Sequence, residues 1–193
     1  MSRSPFVGAH ECLVRCVMSS FWDHTPGVNR SRLAGARFIT SVLCRLALSK
    51  MFEKYTEKAR RVIFFARYEV SQFGSKSIEP EHLLLGLLRE DKSLAECFLP
   101  ADVSIEMFRE QIEAHMTKGG RIPTAVEIPL SDVSKGVLKY AEEESTNLRH
   151  RYIGTDHLLL GLLREKHSIA ERVLRSNGVN LSDVRQQIGK RYG

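Results

Sequence analysis

Cysteine is scarce in this chain of 193 residues: Cys12, Cys16, Cys44 and Cys97 are the four, and three of them fall before residue 50. That number and placement exclude a disulfide framework and point to a reducing, cytosolic compartment. A zinc site drawn from His10, Cys12 and Cys16 lacks a second Cys/His pair at a useful spacing. No Gly-x-x-x-x-Gly-Lys-(Ser/Thr) phosphate loop is present; Gly189 and Lys190 are followed by Arg191, so nucleotide hydrolysis is not expected and no cofactor is implied. No serine or cysteine lies in a recognisable nucleophile setting, with Cys97 falling in what reads as an apolar helix, so the chain reads as non-enzymatic. Long hydrophobic runs are missing too. The best one, around Phe38 to Leu48, is broken by Thr40, Ser41 and Arg45, which excludes a transmembrane span. No stretch alternates with period two for long enough to argue for a sheet.

What is present begins with an uneven charge. Most of the formal net charge of +6 resides in residues 1–50, which hold seven Lys/Arg against two acids and leave 22 against 21 for the rest. The body is therefore close to neutral, which removes the electrostatic reason to expect phosphate-backbone binding and disfavours a helical DNA-binding protein. Residues 1–50 are Arg- and Ser-rich and poor in acids. They read as a poorly structured extension, either a mis-assigned start ahead of Met51 or an organelle transit peptide that would place the protein in the stroma.

The informative feature is a duplication. HLLLGLLRE occurs at 82–90 and again at 157–165, an offset of 75. Ile78 matches Ile153, Leu94 matches Ile169, and Leu99 matches Leu174. After one inserted residue near Gly178 the offset becomes 76, so that Phe108, Arg109 and Ile112 match Val184, Arg185 and Ile188. The expected fold is all-α: two tandem four-helix repeats packed as a pseudo-twofold domain over 51–193. Repeat 1 covers about 51–116, the Gly/Pro-containing linker 117–126, and repeat 2 about 127–193.

Within each unit the first helix carries an apolar stripe: Ala59, Val62, Ile63, Ala66, Val70 and Phe73, then Ser134, Val137, Leu138, Ala141, Ser145 and Leu148. Thr56 and Ser131 stand as N-caps of these helices. The leucine-rich second helix is too apolar all round for a surface helix and is expected at the buried centre. Gly86 and Gly161, costly inside a helix, are expected to admit a neighbouring helix. Ser104 and Asn180 are the expected N-caps of the fourth helices. Glu81 and Asp156 occupy equivalent first-turn positions, where the helix dipole favours a carboxylate, and a charged residue there is expected to be exposed. His82 and His157 follow them; adjacent helical residues point about 100° apart, so each reads as a hydrogen-bonded packing residue rather than half of a catalytic pair.

MFEKYTEKARRV at 51–62, IEPEHLLLGL at 78–87, IGTDHLLLGL at 153–162 and GVNLSDVRQQ at 178–187 resemble the Clp N-terminal repeat domain of ClpC- and ClpA-type unfoldases. The resemblance covers essentially all of 51–193. It implies a protein-binding module that receives substrates or adaptors for a Clp AAA+ unfoldase/protease; a regulatory or inhibitory partner of that machine is the alternative. No nucleic-acid or membrane partner is expected. It further implies that Glu81 and Asp156, beside the hydroxyls of Thr56 and Ser131, clamp the guanidinium of basic or arginine-phosphorylated segments. The sequence departs from the family pattern at Glu79 and Pro80, which replace the Gly-Thr of the second unit, and at 100–102.

Overall fold

The structure is a computed structural model and describes residues 53–99, 103–123 and 128–192. The expected leader with Cys12, Cys16 and Cys44, and the turn at 100–102, lie outside the described residues. Tyr55–Gly193 forms one compact unit. Its described elements are eight helices: α1 (Glu57–Phe73), α2 (Pro80–Glu90), α3 (Lys92–Phe98), α4 (Ile105–Ala114), α5 (Asp132–Asn147), α6 (Thr155–Arg164), α7 (Ile169–Ser176) and α8 (Leu181–Tyr192). The order is four and four. The all-α expectation holds among the described residues.

Local chemistry starts most of these helices. Thr56 accepts from the Ala59 amide (3.2 Å), Ser131 from that of Ser134 (3.1 Å), and Ser104 from that of Met107 (3.2 Å). Each satisfies a first-turn donor that has no intrahelical partner. Asn180 behaves differently from the expected cap. Its side-chain amide donates to the Gly178 carbonyl (3.1 Å) and to Asp183 (3.4 Å).

The two leucine-rich helices are the core. Leu83, Leu84, Leu85, Leu87 and Leu88 of α2 are all buried, as are Leu158, Leu159, Leu160, Leu162 and Leu163 of α6. The α1 stripe is buried throughout; in α5, Val137 and Ala141 are buried whereas Leu138 and Leu148 are only half-buried. Both glycines serve the predicted close approach. A Cβ on Gly86 would lie 2.5 Å from the Val62 carbonyl oxygen and 2.8 Å from the Ala66 amide, and one on Gly161 would strike the Val137 carbonyl. The linker returns along α1: the Gly119 amide donates to Phe73 (2.7 Å) and the Ile122 amide to Ser71 (3.0 Å). No helix among the described residues is long and apolar enough to cross a membrane.

Candidate functional site

Two isolated parallel bridges, Tyr55 with Ile153 and Ile78 with Leu130, decide which residues meet. The Thr56 amide donates to the Ile153 carbonyl (2.9 Å); the Ser131 amide donates to Ile78 (3.1 Å), whose own amide donates to Pro129 (2.8 Å). The segment ahead of the first helix of each unit therefore lies against the segment ahead of the second helix of the other. The exchange is crosswise. Thr56 of the first unit shares a cavity of about 440 Å³ with Gly154, Thr155 and Asp156 of the second. Ser131 is bonded to Ile78, three residues ahead of Glu81.

The surroundings of the two acids correct one expectation. Asp156 is 5% exposed and Glu81 is half-buried, where a first-turn charge was expected to stand in solvent. The reason is the crosswise packing, which lays one unit's N-terminal segment over the other's second helix. Burial pushes the Glu81 carboxyl above its ordinary range; its backbone hydrogen bond opposes that and the nearby Glu79 charge adds to it.

The floor of the Thr56–Asp156 cavity is ionic. Asp91, buried at the end of α2, accepts from the Thr155 hydroxyl (2.8 Å) and from the Leu94 amide (3.3 Å), so it joins the units while capping α3. Lys58 approaches the same carboxylate at 3.4 Å with 56% of its side chain still exposed. Arg61 is held by Glu90 (2.9 and 2.7 Å) and Glu57 (2.8 Å). From α8, Arg191 rests against the sulfur of Cys97 at 3.2 Å. Cys97 is exposed, not enclosed in the apolar helix expected of it, because it lies on the outer side of the short α3.

The histidines behind the acids are packing residues, as expected. The Nδ1 of His82 accepts the Glu79 amide (3.1 Å) and that of His157 accepts the Gly154 amide (2.9 Å), and both rings are buried. An accepting Nδ1 leaves the neutral ring's proton on Nε2. There His82 meets the Ser75 hydroxyl (3.1 Å) and His157 meets Nδ1 of His150 (2.8 Å). Burial lowers the pKa of each to about 4, and for His157 the His150 ring adds to the effect.

One structural pair escaped the sequence reading. Glu69, 0% exposed, is clamped by Arg109 (2.6 Å) and reached by Arg89 (3.5 Å); Glu144, 1% exposed, is clamped by Arg185 (2.6 Å) and Arg164 (2.9 Å). Each buried carboxylate ties the first, second and fourth helices of its unit together and so fixes the helices that carry the candidate site. The signal was available: Glu69, Arg89 and Arg109 recur at the repeat offset as Glu144, Arg164 and Arg185. Among the described residues no group of three His, Cys, Asp or Glu side chains could hold a metal ion.

Comparison with known proteins agrees with this architecture. The profile of the Clp repeat (R) N-terminal domain family matches residues 54–175 and 129–192. Over 171 residues, 88% of the chain, the sequence is 38% identical to the chloroplastic chaperone protein ClpC2 of Oryza sativa subsp. japonica, of which it spans 18%. It is 40% identical over 144 residues to an ATP-dependent Clp protease ATP-binding subunit ClpA homolog of Guillardia theta, covering 74% of this chain and 18% of that protein. Among solved structures, the N-terminal domain of the chaperone ClpD from Arabidopsis thaliana superposes with a TM-score of 0.60 at 30% identity, covering 74% of this chain and 99% of that one.

Proposed function

This chain belongs to the Clp repeat N-terminal domain family, and from that premise we propose that it is a non-enzymatic module that captures protein substrates or adaptors for a Clp AAA+ unfoldase/protease. Its two anchor points pair Thr56 with Asp156 and Ser131 with Glu81, each taking the side chain of a basic or arginine-phosphorylated segment. The observation that carries this reading is the crosswise cavity. It brings a helix-capping hydroxyl and a first-turn carboxylate from different units to one opening, with Lys58 and Arg191 at its wall. Such a site offers an anionic group for a guanidinium and the positive end of a helix for an attached anion. The compartment proposed is a reducing one: the cytosol, or an organelle stroma where residues 1–50 act as a transit peptide.

Calorimetric titration with an arginine-containing peptide, phosphorylated and unphosphorylated, tests the reading. The wild-type chain should bind, and the Glu81→Gln/Asp156→Gln double variant should lose about 2 kcal/mol or more, roughly thirtyfold in affinity. A double variant that is folded and binds as tightly as wild type would reduce both acids to helix-capping residues.

A further inference from the structure

The loops that lead into the two leucine-rich helices do not match. Gly74, Ser75, Lys76 and Ser77 precede Ile78 in the first unit; at the offset of 75, Arg149, His150, Arg151 and Tyr152 precede Ile153 in the second. Both loops open with a residue in the left-handed conformation, Gly74 at φ 69° and Arg149 at φ 58°. Glycine adopts it freely, whereas a Cβ crowds the neighbouring carbonyl oxygen, so Arg149 holds its place against the preference of the backbone. In the first unit glycine is required: a Cβ on Gly74 would strike the Gly120 carbonyl of the linker. Arg149 instead has its side chain in solvent.

The second loop is well anchored. The Arg149 amide donates to Thr146 (3.0 Å) and the His150 amide to Ser145 (2.8 Å), while the His150 ring meets that of buried His157 (2.8 Å) and the Ile153 carbonyl accepts from the Thr56 amide (2.9 Å). Two guanidinium groups stand on this frame. Neither Arg149 nor Arg151 has a carboxylate partner among the described residues, and Arg151 lies over the ring of Tyr152, 5.3 Å from its centroid. Tyr152 is 48% exposed. Helix dipoles favour a cation just past the C-termini of α1 and α5, a need that Lys76 and Arg151 meet at ordinary backbone angles. They do not call for a second cation in a left-handed position.

Two forked cations beside an exposed aromatic ring, on a loop already in place, suit carboxylates, which arginine grips with paired hydrogen bonds. An extended polyanion fits less well. Residues 51–193 hold 22 Lys/Arg against 21 acids, and the exposed Glu142 precedes the loop on α5, so a longer chain of phosphates would run from attraction into repulsion.

We infer that the 149–152 loop is a docking surface for an acidic segment of a partner protein, with Arg149 and Arg151 each taking a carboxylate and Tyr152 giving the contact an apolar side. This goes beyond the proposed capture of basic segments, since none of the three residues lines the Thr56–Asp156 cavity.

The probe is a fluorescein-labelled oligoglutamate peptide, titrated by anisotropy into the full chain, with oligoglutamine and an oligothymidylate of equal charge as references and thermal melts for every variant. Wild type should bind the oligoglutamate in preference to both references, with an affinity that falls as salt is raised. Arg149→Gly/Arg151→Gln should weaken it about tenfold, Arg149→Lys should keep most of it, and Asp156→Gln should leave it unchanged. Arg149→Gly alone should bind less tightly yet melt no lower than wild type, because relief of the backbone offsets the freer unfolded chain. The inference is overturned by a wild type that does not prefer oligoglutamate to oligoglutamine, by a double variant that binds as wild type does, or by tighter binding of the oligothymidylate. Loss of binding on Asp156→Gln, or an Arg149→Gly variant that melts lower, overturns it equally: the first would move the peptide to the cavity, and the second would make Arg149 a residue of the helix end.

Discussion

The two repeats agree inside and differ around the Thr56–Asp156 cavity. Gly86 and Gly161, His82 and His157, and the clamped Glu69 and Glu144 are the same residue types in matching places, although Ser75 beside His82 is exchanged for His150 beside His157. The positions lining the Thr56–Asp156 cavity are not kept in the duplication, where Lys58 gives way to Val133, Asp91 to Lys166 and Thr155 to Pro80. Residues that fill space or neutralise a buried charge allow few alternatives, because a close-packed interior penalises both holes and overlaps. Solvent-facing side chains such as Lys58 and Val133 meet no such penalty, so positions like these are where the two halves can acquire different tasks.

The largest test of this likeness is acidification. Each buried histidine is neutral in the fold at a pKa of about 4, against an unfolded value near 6.5. The unfolded chain therefore takes up protons first, and stability is lost as pH falls from about 6.5 toward 4. Each ring should cost about 2 kcal/mol at pH 5, or about 4 kcal/mol for the pair. Urea unfolding at pH 7 and pH 5 measures it. His150→Ser, which gives the second unit the Ser75 arrangement, should raise the His157 pKa in an NMR titration; an unchanged value would separate His157 from its neighbour.

Next in size are the glycines. Gly86→Ala and Gly161→Ala each place a methyl group against the backbone of the neighbouring helix and should destabilise by about 3 kcal/mol. Equal losses in chemical denaturation would support the equivalence of the two interiors. A difference above about 1 kcal/mol would break it.

The smallest effect separates the clamps. Glu144 is held by two arginines at 2.6 and 2.9 Å, whereas the second arginine of Glu69 stands at 3.5 Å. Removing the charge by Glu144→Gln should cost about 2 kcal/mol and Glu69→Gln less. Burial works against the charged form of Glu144, but the hydrogen bonds and charges of Arg185 and Arg164 outweigh it and hold the pKa below the usual value. Its contribution is therefore present above an unfolded pKa near 4.3 and lost as pH falls through the lower folded value, a loss absent in Glu144→Gln. Equal urea midpoints for the two variants would show that the longer contact matters as much as the shorter ones.

Much of this fold could be read from local chemistry. The caps at Thr56, Ser104 and Ser131 need only the helix that follows them, and the burial of α2 and α6 follows from leucine on every side. What could not be read depends on contacts distant in sequence. Isolated bridges at Tyr55 and Ile78 leave no alternating pattern, so the crosswise pairing of Thr56 with Asp156 was invisible. Asp91 was hidden because Lys166, its counterpart, breaks the repeat at that point. Glu69 and Glu144, charged residues beside an apolar stripe, have the look of a solvated helix face until the arginines that meet them are known.

The crosswise bridges also make ligand capture a matter of architecture. The Thr56–Asp156 cavity takes one wall from each half of the duplication, so neither half owns it whole, and any excursion that parts the halves dismantles it. Occupancy must then act as a brace: a peptide bound across the seam holds the halves shut by RT ln(1 + [L]/Kd). Amide hydrogen exchange at Ser131, in the other crosswise bridge, should slow when the cavity is filled.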